Sequence, residues 1–130
     1  MMKFLTYCVL FFIAFVSIDS FAKWVPLLKN TDNDSIFFDP ARVKKMGDDL
    51  HVVTLTNYQQ AKMTKDYPMW STMTHLSINC AKKTFMIHQV INYEEEDLQG
   101  KDHPMNFKYP KISPIPDTST VSMIYSKICE

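Results

Sequence analysis

The 130-residue chain has a mass of 15.2 kDa and carries 14 Lys+Arg against 14 Asp+Glu, a formal net charge of zero. That length suits one domain. A neutral chain whose sole arginine is Arg42 lacks the basic footprint on which nucleic-acid affinity rests. A hydrophobic content of 46% beside 22% charged residues is a globular composition and excludes wholesale disorder.

The chain opens with an export pattern. Lys3 is the sole charge before Asp19, and Phe4 to Ile18 is almost wholly apolar. Crossing a bilayer takes about 20 apolar residues, so the run is short for a permanent anchor. Ser20-Phe21-Ala22 then places small residues as a signal peptidase requires. The pattern predicts a secretory signal peptide over residues 1–22 and a single exported domain over 23–130, with an anchoring helix as the competing reading. Cys8 lies inside the apolar run, and Leu5-Thr6-Tyr7 lacks the small residue expected before a lipid-attachment cysteine. The mature protein is expected to be unlipidated and periplasmic, secreted or held at the cell surface.

Two cysteines then remain, Cys80 and Cys129. In an oxidising compartment their simplest state is one disulfide, with free thiols or an intermolecular bridge as the alternatives. Such a bond would close a loop of about 50 residues, for roughly 4 kcal/mol of stabilisation in the chain-entropy model. The cysteines form no Cys-x-x-Cys, so neither a redox pair nor a zinc ribbon is indicated.

From Lys23 onward the pattern is mainly strand. Trp24-Val25 opens the domain, a polar loop spans residues 30–35, and Ile36-Phe37-Phe38 is a short strand that Pro40 interrupts. Met46-Gly47-Asp48-Asp49 is a turn signal, and Leu50 to Tyr58 is rich in β-branched residues at strand length. Residues 59–68 are polar and predict a mobile connection. Thr72 to Cys80 alternates, with Thr72, Thr74, Leu76, Ile78 and Cys80 on one face. Thr84 to Tyr93 alternates likewise, grouping Phe85, Ile87, Ile91 and Tyr93. Glu94 to Asp97 is a charged loop without the glycine bend of a calcium site. Prolines 104, 110, 114 and 116 make residues 103–116 extended or irregular.

The last segment changes period. Asp117 and Thr118 are good N-cap residues, and Val121, Ile124, Tyr125 and Ile128 form one helical stripe that Cys129 joins. A strand would instead bury Lys127 with Val121 and Tyr125, so the helix is preferred. The predicted fold class is α+β: an antiparallel β-sheet with a C-terminal α-helix tied to it by a disulfide.

This arrangement resembles the surface-adhesin protein E family of exported bacterial proteins. The resemblance rests on Trp24, Phe37-Phe38-Asp39, Val43-Lys44-Lys45-Met46-Gly47 and Val52-Val53-Thr54-Leu55. It continues through Ser77-Ile78-Asn79-Cys80 and the closing Ile115-Pro116-Asp117-Thr118 to Ile128-Cys129. The tryptophan usual before the final helix is replaced here by Phe107 or Tyr109. The resemblance implies a disulfide-tied helix on an antiparallel sheet, and non-enzymatic binding to host extracellular-matrix or serum proteins.

Candidate sites are few. A hairpin around Ala81-Lys82 would place Ile78 opposite Phe85, Leu76 opposite Ile87 and His75 opposite His88, with Met73, Met86 and Val90 nearby. Opposed Cβ atoms lie about 4.5–5.5 Å apart, so His75 and His88 could share a divalent metal or contact a haem edge. The alternative is two exposed histidines without a role, and a loop one residue longer or shorter destroys the register. No other cofactor is indicated. Lys101, Lys108 and Lys111 punctuate the proline-rich stretch around Phe107 and Tyr109, a pattern that suits a partner-binding surface, or else a loop that packs its aromatics inward. Catalysis finds no support: both cysteines after residue 22 are assigned to the disulfide, and Asp102 and His103 point apart on an extended chain. Two functions stay in view, an adhesin-like binding protein and a soluble periplasmic ligand-binding or accessory protein.

Overall fold

The computed structural model describes residues 23–105 and 110–129. The proposed signal peptide, residues 1–22, lies outside the described residues, as do Phe107, Lys108 and Tyr109. In chain order the strands are β1 (Val25–Lys29), β2 (Ser35–Phe38), β3 (Lys44–Met46), β4 (Asp49–Met63), β5 (Pro68–Asn79), β6 (Thr84–Tyr93), β7 (Asp102–Met105) and β8 (Ser113–Pro114). The helix α1 (Thr120–Ile128) follows, and short 3₁₀ turns occupy Pro40–Arg42 and Glu96–Leu98.

Every pairing is antiparallel, and the sheet runs β1-β2-β4-β5-β6-β7. β3 joins the outer edge of β4 beside β2, through Asp49–His51, and β8 joins the outer edge of β6 through Thr84 and Phe85. The prolines sit where a ladder tolerates them: Pro26, Pro104 and Pro114 all lie on edge strands. β7 and β8 thus give the proline-rich stretch more strand than its composition predicts.

One face of the sheet is closed by the helix. Leu76, Ile78, Ile115 and Ile124 form the buried cluster, with Leu28, Phe85, Val121, Tyr125, Ile128 and the two cysteines packed against it. Cys80 and Cys129 are joined in a disulfide across 49 residues, as the sequence indicated. The Tyr125 hydroxyl donates to the Cys80 carbonyl at 3.1 Å, so the helix is fastened to the end of β5 by a covalent and a polar link.

Two buried carboxylates bracket β2. Asp34, only 3% exposed, accepts from the Asn30 side chain and from the Gln59 amide of β4. Asp39, 2% exposed, accepts from the Ala41 amide at 3.0 Å and from Arg42 Nε at 2.8 Å. It caps the turn that begins at Pro40, which is why the strand stops there.

Three expectations need correction. The polar stretch 59–68 is no mobile connection: β4 continues to Met63, a tight turn is closed by Thr64 and Tyr67, and β5 starts at Pro68. This part of the hairpin runs past the ends of β2, so its β4 residues bury little and show no apolar period. Second, a bulge between His75 and Leu76 changes the parity of β6. Phe85 and Ile87 share the helix-covered face with Leu76 and Ile78, whereas Ile91 and Tyr93 pair with Met73 and Ser71 on the other face. Val90 pairs with Thr74, on the helix side.

Third, the helix cap is Ser119 rather than Asp117 or Thr118. Ser119 Oγ accepts from the Ser122 amide at 3.1 Å. Thr118 has a left-handed φ of 64°, and exposed Asp117 lies 3.5 Å from Lys83. Ser119→Ala should therefore cost about 1 kcal/mol, whereas Asp117→Ala should change little because an exposed ion pair is weak. Urea denaturation of the two variants checks the assignment; a larger effect at Asp117 would reverse it.

Candidate functional site

Three adjacent strands bring three imidazoles together on the face opposite the helix. His51 of β4 pairs with Ser77, which places it diagonal to His75 of β5. His75 faces Gln89, not His88, because the bulge inserts one residue into β6; the expected direct opposition is corrected accordingly. His88 is the inserted residue, and its ring still reaches the same face, with Nε2 2.8 Å from Ser77 Oγ. Ring centroids lie 5.2 Å apart for His51–His75, 5.0 Å for His51–His88 and 4.8 Å for His75–His88. His51 Nδ1 approaches His75 Nε2 to 3.0 Å.

The sequence reading missed His51. Finding it required the β4–β5 register, which depends on a turn lacking glycine or asparagine and on a shift between Asn57 and Lys62. Burial lowers the His75 pKa, and repulsion from His88 and His51 lowers it further. Burial and then His51 lower that of His88, with Asp49 pulling weakly the other way. Both rings therefore favour the neutral form, which keeps a nitrogen lone pair available as a donor.

The fourth histidine is engaged elsewhere. His103 Nε2 lies 2.8 Å from a Glu94 carboxylate oxygen, and its ring stacks on Tyr67 at 3.6 Å between centroids. Asp102 is not its partner.

Of the expected partner-binding residues, Lys101 and Lys111 are exposed, and Phe107, Lys108 and Tyr109 lie outside the described residues. On either side of that segment, Met105 and Ile112 leave 48% and 66% of their surface in water. Ile112 lines a groove with Met46, Asp49, Ser77 and Met86, and Met46 is itself 60% exposed. Lys82 contributes charge to the same groove.

A small α+β domain built on one antiparallel sheet, with its C-terminal helix locked on by one disulfide, is the class these features define. The chain belongs to the surface-adhesin protein E family, which it matches over residues 24–130. Its fold is similar to that of Haemophilus influenzae protein E, with a TM-score of 0.59 and 15% identity over 85% of this chain and 86% of that one. A second crystal form of the same protein gives a TM-score of 0.63 at 15% identity, covering 85% and 90% of the two chains. Protein E from non-typeable Haemophilus influenzae gives 0.60 at 15% identity, covering 86% and 78%. At such identity the likeness is one of fold. No curated protein matches the chain by sequence.

Proposed function

We propose that this is an exported bacterial adhesin-like protein that binds a host extracellular-matrix or serum protein and performs no chemistry on it. Membership of the surface-adhesin protein E family over residues 24–130 carries the reading. The surface is compatible with it: the exposed Met46 and Ile112 side chains line one groove and offer apolar area that a partner could cover. Lys82 lies at that groove, and exposed Lys101 and Lys111 flank the 106–109 segment, a polar rim of the kind interfaces carry. Among the described residues no helix is long and apolar enough to cross a membrane.

Immobilised vitronectin and laminin serve as the probes. Wild-type protein should bind at least one of them. Phe107→Ala with Tyr109→Ala should weaken binding by about 2 kcal/mol or more per residue, because aromatic anchors dominate interface energetics. Alanine at Lys101, Lys108 and Lys111 should mainly slow association and flatten its salt dependence. Binding that survives the aromatic changes would move the contact to the groove of Met46 and Ile112, where Ile112→Ser should then weaken it. No binding by the wild type would favour a periplasmic ligand-binding or accessory role.

A further inference from the structure

We propose that His51, His75 and His88 form a binding site for a first-row transition-metal ion, zinc(II) or copper(II), on the sheet face opposite the helix. Each residue offers one ligand atom, and these atoms lie within 4.8 Å of one another. A tetrahedral ion with metal–nitrogen bonds of about 2.0–2.1 Å holds its ligands about 3.3 Å apart. His51 Nδ1 and His75 Nε2, at 3.0 Å, are already close to that spacing. The third nitrogen closes the remaining gap by side-chain rotation, which a half-buried ring permits.

The donor chemistry selects the ion. Three imidazole nitrogens suit zinc and copper(II), whereas calcium and magnesium require oxygen ligands. His88 Nε2 contacts Ser77 Oγ at 2.8 Å, the kind of outer hydrogen bond that fixes the tautomer and orientation of a ligating histidine, and it leaves Nδ1 for the ion. Ser77 is 3% exposed, so this support is built into the sheet. Among the described residues no carboxylate forms a salt bridge to any of the three rings, while His103 has Glu94. Two charged groups face the cluster: Asp49 attracts His88, and Lys44 pairs with His51 across β3 and β4, opposing a cation. Three protein ligands leave a fourth position open for water or for a side chain of a bound partner.

The site exists only in the folded chain, because its ligands come from three strands. Titration of the intact exported protein with zinc chloride or copper(II) chloride should show one equivalent bound per chain and a raised melting temperature. His51→Gln, His75→Gln and His88→Gln should each weaken binding at least tenfold, and His103→Gln should leave it unchanged. Circular dichroism of the metal-free variants separates lost ligation from lost folding. Should a variant fail to fold, electron paramagnetic resonance of the wild-type copper(II) form decides, since the proposal requires splitting from three nitrogens. No uptake by the wild type, variants that bind like it, or a signal from a single nitrogen would each overturn the assignment.

Discussion

Joint replacement of Cys80 and Cys129 by serine should lower the unfolding free energy by about 4 kcal/mol. The bond spans 49 residues, and removing it returns that loop's conformational freedom to the unfolded state. Domains of this size have about 5–15 kcal/mol in total, so the variant keeps a modest reserve. The melting temperature should fall by about 20 °C, given roughly 4–8 °C per kcal/mol. The helix should nonetheless remain docked, because Ile124 is 4% exposed in the core and Tyr125 still reaches the Cys80 carbonyl. Far-UV circular dichroism of the variant below its transition should therefore match the wild type. A loss of stability under about 1 kcal/mol would show that the unfolded chain keeps this loop closed without the bond.

Leu76→Ala should cost about 2–5 kcal/mol, and Ile112→Ala less than about 0.5 kcal/mol. The two residues have similar side chains and opposite surroundings. Leu76 is 2% exposed in the cluster that the helix covers, whereas Ile112 is 66% exposed. Truncating the first leaves a cavity among Ile78, Ile115 and Ile124, while the second removes only surface that water already wets. Urea denaturation should shift the Leu76→Ala midpoint with little change in slope. Equal effects at the two positions would mean that the helix does not seal this face.

How much of this was legible in the sequence depended on the reach of each signal. Local signals worked: Thr84 to Tyr93 lies between Lys82-Lys83 and the Glu94–Asp97 charge run, and β6 occupies those bounds. The stripe of Val121, Ile124, Tyr125 and Ile128 placed the helix, but its start was expected at Asp117 or Thr118, ahead of the actual cap at Ser119. Ser119 takes the cap because Thr118 turns left-handed, a backbone conformation that its residue type does not announce. Cys80 and Cys129 were legible because residues 23–130 hold no third cysteine. The bulge at His75/Leu76 left no mark, having neither glycine nor proline, yet it sets the face of every later residue in β6. His51 was hidden for a related reason: its neighbours are defined by strand register, which no local window contains.

The position of the disulfide also governs how the domain carries load. Tension applied to the chain beyond Cys129 passes through the sulfurs to Cys80, beside the end of β5, a strand hydrogen-bonded to neighbours along both edges. Residues 81–128 lie outside that path. Their slack, roughly 160 Å when extended, stays stored while the bond is intact. Under such tension β6, the edge strands β7 and β8 and the helix can keep their shape while the two strands of the central hairpin take the strain. Reduction would put that whole segment in series with the pull, turning a stiff tether into a long compliant one.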